Sequence, residues 1–224
     1  YSSVLSGTAI EPVYAAMVES VDRNVGRLLD ILEKLELSET TVVIFTSDNG
    51  ALESVTDNHP FRRGKGHLYE GGLRVPFIMR WPGQIKPGSV SKNPVISSDI
   101  YATVVDIVGN KAEPGHPVDG RSLVKDFQGE ISDSAIELYW YYPHYAPQGN
   151  MPGAAIRSGD YKLIEFYDPP KVELYNLQKD ISETRDLSDS LPEIKNDLIE
   201  KLQSWLAGTD PIMHSLNPDY KPNN

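Results

Sequence analysis

Two short stretches of this chain combine residue types that do chemistry. Phe45-Thr46-Ser47-Asp48-Asn49-Gly50 ends an apolar run with a carboxylate and an amide. Gly64-Lys65-Gly66-His67-Leu68-Tyr69-Glu70-Gly71-Gly72 carries one lysine among glycines, with Arg62 and Arg63 just before it. Asp48 and Asn49 offer hard oxygen donors, suited to Ca2+ or Mg2+ rather than to zinc. The same Asp-Asn-Gly also reads as a plain turn, because these residues tolerate left-handed backbone. Lys65 supplies a point charge for an oxyanion where the flanking glycines let backbone approach a ligand; the alternative is a basic surface loop. A calcium shell takes roughly six to eight oxygens. If Asp48 and Asn49 bind metal, the other ligands come from a segment absent from this chain.

The remaining candidates surround this pair. His67 is close enough in sequence to Lys65 to line one pocket with it. His144 sits in Trp140-Tyr141-Tyr142-Pro143-His144-Tyr145, an aromatic segment that suits packing against a sugar or aryl ring and suits a core equally well. Glu70 and Arg74, one helical turn apart, read as an ion pair holding the loop. His59, His116 and His214 lie in loop-like surroundings without a signal. No nucleophile can be defended, for there is no Gly-x-Ser-x-Gly elbow, P-loop or His-Glu-x-x-His.

The positioning elements follow from periodicity. From Pro12 to about Leu37, apolar residues including Val13, Met17, Val21, Val25, Leu28, Leu32 and Leu35 recur at helical spacing. Thr41-Val42-Val43-Ile44-Phe45 is a continuous β-branched run, expected as a strand buried on both faces of a parallel sheet. A second strand is expected within Arg74–Trp81, with Pro76 pushing it to an edge, an end or a bulge. A helix capped by Ser97 or Ser98 then runs to Gly109. Composition turns loop-like around residues 110–135. Beyond it, residues 137–142, 154–157, 161–166 and 172–175 read as short strands, with Gly159-Asp160 as a hairpin turn. Ser190 is the expected cap of a last helix that presents Leu191, Ile194, Leu198, Leu202, Trp205 and Leu206 and ends at Gly208.

Composition narrows the partners. At 224 residues with 39% apolar and 24% charged residues, the chain is an ordinary globular one and can bury a core. A net charge of −11 argues against nucleic acid and makes any anion site depend on local cations. The absence of cysteine excludes disulfides, thiolate metal sites and a cysteine nucleophile in this chain. No apolar run is long enough for a membrane span, so no membrane partner is expected. The chain opens on Tyr1 rather than Met, which reads as a cut or processed start, so the lack of a signal peptide within it says nothing about origin.

Several motifs, in order, resemble the C-terminal half of type I sulfatases of the alkaline-phosphatase-like superfamily. They are Met17 to Leu35, Thr46-Ser47-Asp48-Asn49-Gly50, the Gly64–Gly72 stretch, Val75-Pro76 and Trp81-Pro82-Gly83. Ser98-Asp99-Ile100-Tyr101-Ala102-Thr103 resembles the helix that follows, with Ala102 where a proline is common. Asp119–Leu123, Arg157–Leu163 and Leu174–Leu177 resemble the family's C-terminal subdomain. The resemblance implies an α/β fold: residues 1–130 as the C-terminal part of an α/β/α sandwich, and residues 131–224 as a small α+β subdomain with an antiparallel sheet and a packing C-terminal helix.

It also implies a calcium-dependent enzyme that hydrolyses sulfate esters of a glycan or small molecule, exported to the periplasm or secreted. Asp48 and Asn49 would be the second pair of calcium ligands and Lys65 the catalytic lysine that contacts the sulfate. His67 or His144 would touch the alcohol part of the substrate. The family nucleophile is a formylglycine made within a Cys/Ser-x-Pro-x-Arg motif. Here the only Ser-x-Pro is Ser190-Leu191-Pro192, with Ile194 in place of the arginine. The nucleophile is therefore expected in a missing N-terminal half, and this chain alone is expected to be inactive. Two rivals stay open: a phosphodiesterase or phosphonate hydrolase of the same superfamily, and a binding module that kept the fold without the chemistry.

Overall fold

The computed structural model describes residues 10–109, 118–127, 129 and 136–212. The chain divides into two compact units, Tyr1–Lys65 with Tyr69–Ile136, and Gly66–Leu68 with Glu137–Asn224. The loop-like stretch around residue 115, with His116, and the tail with His214 lie outside the described residues.

The first unit contains α1 (Pro12–Lys34), β1 (Val43–Thr46), α2 (Glu70–Leu73), β2 (Phe77–Arg80), α3 (Ser98–Ile107) and α4 (Val124–Phe127). Pro12 occupies the first turn of α1, where a missing N–H costs nothing, and the Glu11 carboxylate accepts from the amides of Val13 at 2.8 Å and Tyr14 at 3.3 Å. β1 pairs antiparallel with β2, Val43 opposite Arg80 and Thr46 opposite Phe77. The expected parallel strand buried on both faces is therefore corrected. A continuous apolar run implies two covered faces, but Phe45 is 38% exposed, and among the described residues β2 is the one strand paired with β1. β2 starts after Pro76, which cannot donate to a ladder.

α1 buries none of its residues. Val13, Met17, Leu28 and Leu35 are each more than 60% exposed. The helical spacing is present, yet most of the apolar stripe stays exposed, and Val25, Leu29 and Leu32 are only half-buried. Asp99, near the start of α3, is buried and accepts from the amides of Ile96 at 3.1 Å and Arg121 at 2.9 Å. Ser97 is the N-cap residue by position, but its side chain caps nothing, and Asp99 instead fixes the chain before the helix and the Arg121 backbone to the start of α3. Gly109 follows α3 with a φ of 71°, as a helix stop requires.

The second unit has a buried apolar core. β3 (Glu137–Tyr142), β4 (Gly153–Ser158), β5 (Tyr161–Tyr167) and β6 (Pro170–Asn176) form an antiparallel meander in chain order. α5 (Pro192–Thr209) packs on it, Leu198, Leu202 and Leu206 meeting Ala154, Ile156, Leu163 and Leu174. Both ends of α5 differ from expectation. Leu191 holds the cap position, and the Ser190 hydroxyl instead donates to the Leu187 carbonyl at 3.1 Å. The left-handed residue that ends the helix is Asp210, so Gly208 stays inside it. On the opposite sheet face Lys162 and Glu183 form a fully buried ion pair. Among the described residues, no helix is long and apolar enough to cross a membrane.

Candidate functional site

Three backbone hydrogen bonds assemble the centre of the first unit. Gly50 donates to the Gly72 carbonyl at 3.0 Å, Lys65 to Ala51 at 3.0 Å and Gly71 to Arg62 at 2.9 Å. The loop after β1, the lysine loop and the start of α2 thus press together as bare backbone. A Cβ on Gly50 would lie 1.7 Å from the Gly71 oxygen, one on Gly64 2.2 Å from the Ala51 oxygen, and one on Gly71 1.9 Å from the Arg63 oxygen. These glycines serve loop-on-loop contact, a use distinct from the ligand approach suggested by their number.

This clasp brings Asp48, Asn49 and Lys65 into one region. Asp48 is exposed at the carboxyl end of β1, and Asn49 beside it is half-buried. The Ser47 hydroxyl donates to the Asn49 carbonyl at 3.0 Å and lies 3.5 Å from Asp48 Oδ1. Ser47 is a positioning residue that sequence reasoning passed over, although a serine before Asp-Asn is a standard local backbone binder. No cation pairs with the Asp48 carboxylate among the described residues. An exposed carboxylate next to an amide is chemically fit to give part of a hard-cation shell. Among the described residues, no group of three or more His, Cys, Asp or Glu could hold a metal alone.

The Lys65 side chain is exposed, while its amide is fixed to Ala51. Arg62 lies over the Tyr69 ring, 4.0 Å from its centroid, and Arg74 lies 5.3 Å from the centroid of Phe61. Glu70, 4% exposed, sits 3.4 Å from Arg74, the ion pair expected from their spacing. These contacts hold the lysine loop against α2.

His67 and His144 belong to the second unit. His67 is buried, at 7% exposure, between Gly66 and Leu68. A Cβ on Gly66 would sit 3.2 Å from Gln148 Oε1, and one on Gly153 would sit 3.3 Å from Leu68 Cδ1. The segment carrying His67 therefore packs against the loop that begins at His144. The His144 ring is exposed and meets Tyr142 edge-on, centroids 5.4 Å apart. Its carbonyl accepts from buried Asn150 at 2.8 Å, a restraint with no visible sign in the sequence. His59 is exposed in a turn where its amide donates to Asp57 at 2.8 Å.

With this geometry in place, comparison with known proteins identifies the family. Residues 9–110 match the family model described as Sulfatase, and residues 61–208 match N-sulphoglucosamine sulphohydrolase, C-terminal. The chain belongs to the sulfatase family. A sulfatase of Formosa agariphila is 38% identical over 86% of this chain and 39% of its own length. Ps i-CgsB, solved in complex with k-i-k-neocarrahexaose, superposes with a TM-score of 0.75 at 32% identity, over 86% of this chain and 42% of that one. BT4656, solved with its substrate D-glucosamine-2-N,6-O-disulfate, gives a TM-score of 0.74 at 28% identity, over 88% of this chain and 40% of that one. The chain spans about two fifths of the length of the relatives it matches. Its α/β fold is that of the corresponding part of these sulfatases.

Proposed function

We propose that this chain is the C-terminal part of a calcium-dependent sulfatase that hydrolyses sulfate esters, with sulfated glycans as its substrates. The observation that carries this is the backbone clasp between the loop of Asp48 and Asn49 and the loop of Lys65. It ties the backbone of Lys65 to the loop that follows Asp48 and Asn49, which supports reading the carboxylate, the amide and the ammonium group as parts of one anion-binding site. The substrate bound to BT4656 is a sulfated sugar, which supports the substrate class.

Asp48 and Asn49 would contribute two oxygen donors to the calcium shell. Calcium held there would supply positive charge to offset that on the sulfate oxygens. Lys65 places a positive charge on the sulfate as its S–O bond breaks, a contact worth most where charge develops. The nucleophile, a formylglycine by family pattern, and the remaining calcium ligands belong to an N-terminal part of the protein. Two features of the first unit support such a part: the exposed apolar stripe of α1, and Ile78 at 62% exposure on β2. An exported enzyme, periplasmic or secreted, fits the same reading.

The test is hydrolysis of sulfated sugars by the full-length protein and by this chain alone. Turnover by the full-length protein and none by the chain is expected. Turnover by the isolated chain would overturn the division of labour. Cleavage of phosphonate or phosphodiester substrates with no sulfatase activity would move the protein to that branch of the superfamily. Sulfate binding without turnover on any ester would make it a binding module.

A further inference from the structure

Four non-glycine residues have left-handed backbone among the described residues: Glu36, Arg63, Glu183 and Asp210. Three have a structural reason. Glu36 closes the end of α1, its amide donating to Glu33 at 3.0 Å, and Asp210 ends α5. Glu183 forms the buried pair with Lys162. Arg63, with φ of 60°, is different. Its backbone is held by the clasp, because its carbonyl lies against the Cα of Gly71. Its side chain is exposed and makes no ion pair or hydrogen bond among the described residues. Glycine would adopt this backbone without strain, and a guanidinium contributes nothing to holding it. A strained residue with an unused cationic side chain points to a use for that cation.

The position says which use. Arg63 lies two places before Lys65 on the same clasped loop, in a chain whose net charge of −11 repels anions at long range. A guanidinium fork matches the paired oxygens of a sulfate or a carboxylate better than an ammonium does. Resting on the sulfatase reading above, we propose that Arg63 is a specificity residue that binds a second anionic group of the substrate, beside the sulfate ester held at Lys65. The preferred substrates are then sugars with at least two anionic groups.

The experiment compares full-length wild type, Arg63→Gly and Arg63→Lys on N-acetylglucosamine 6-sulfate and on glucosamine 2-N,6-O-disulfate. A 6-sulfated disaccharide carrying a uronate is the third probe. It separates a carboxylate from a sulfate as the second group. In Arg63→Gly the preference for the doubly charged sugar should fall about tenfold, mostly through KM, the size of one charge-assisted contact. Arg63→Lys should keep part of it. The melting temperature of Arg63→Gly should be equal to or above that of wild type, because glycine relieves the backbone. A lower melting temperature with equal losses on all three sugars would make Arg63 a structural residue and overturn the proposal. An unchanged preference would overturn it too. Binding is read in parallel from the sugar concentration that half-saturates the rise in melting temperature. A protein that binds these sugars but cleaves none refutes the sulfatase reading and still decides the role of Arg63. Binding of none refutes both.

Discussion

The amide of Lys65 donates to the carbonyl of Ala51 at 3.0 Å, so the lysine is fixed by its backbone to the loop that carries Asp48 and Asn49. The fit depends on missing side chains, most tightly at Gly50, whose added Cβ would lie 1.7 Å from the Gly71 oxygen. Gly50→Ala must push these loops apart. We expect a loss of about 1–3 kcal/mol in stability of the full-length protein, typical of overpacking, and a larger fall in kcat than in stability. Denaturant titration and steady-state kinetics would show it; wild-type kinetics in this variant would break the link between clasp and site.

Lys65 itself is exposed, so its side chain can be removed without opening a core. Lys65→Ala in the full-length protein should retain the wild-type melting temperature and lose roughly 10²–10³ in kcat, the scale for one transition-state charge contact. A drop confined to KM would mean that the lysine binds the ground state only, and no drop would remove it from the site.

For the metal, Asp48→Ala is the decisive variant. Calcium at about one hundred times its Kd should stabilise the wild-type full-length protein by about 2.7 kcal/mol. The variant should show no calcium-dependent rise in melting temperature. An equal rise in both proteins would mean that Asp48 is not a ligand.

Asp126 gives a prediction in pH. Burial raises its pKa, but hydrogen bonds from Arg121 at 2.5 Å and Asn93 at 2.5 Å, with the charge of Arg121, outweigh this and hold it below the usual carboxylate value. A depressed pKa in the folded state means that the folded protein resists protonation there. Its contribution is present above the unfolded carboxylate pKa of about 3.9 and is lost as pH falls through the folded value. Asp126→Asn should therefore flatten the acid limb of melting temperature against pH below about 4. Identical acid limbs in variant and wild type would show that the pair does not couple to folding.

What the sequence made legible divides along physical lines. The meander and α5 were readable because their apolar residues alternate or recur at the element's own period and end inside this chain. The helical period of α1 was just as clear, but the partner of its stripe was not, since period reports a face and never what covers it. β1 misled for the same reason. Val43-Ile44-Phe45 carries the composition of a strand covered on both sides, while the described residues supply one antiparallel neighbour. At the site, Asp48, Asn49 and Lys65 stood out by residue type. The Ser47 hydroxyl and the Asn150 amide did not, because each acts on a backbone carbonyl and leaves no charge or spacing to read.

The buried pair in the second unit tests how polar groups hold this subdomain. Lys162 Nζ lies 2.9 Å from Glu183 Oε1, and both side chains are fully buried, tying the loop of Glu183 to the middle of the sheet. Removing one partner leaves a charge without its counterion in a low-dielectric interior, so Lys162→Met should cost about 3–5 kcal/mol. Lys162→Met with Glu183→Gln removes both charges and should recover a large share of that loss. Chemical denaturation of the full-length protein followed by circular dichroism measures this loss, and Trp205, stacked on Tyr139 with ring centroids 5.0 Å apart, adds a fluorescence signal from this subdomain. Equal stability of the single and double variants would show that the cost lies in packing around the Lys162 stem rather than in the stranded carboxylate.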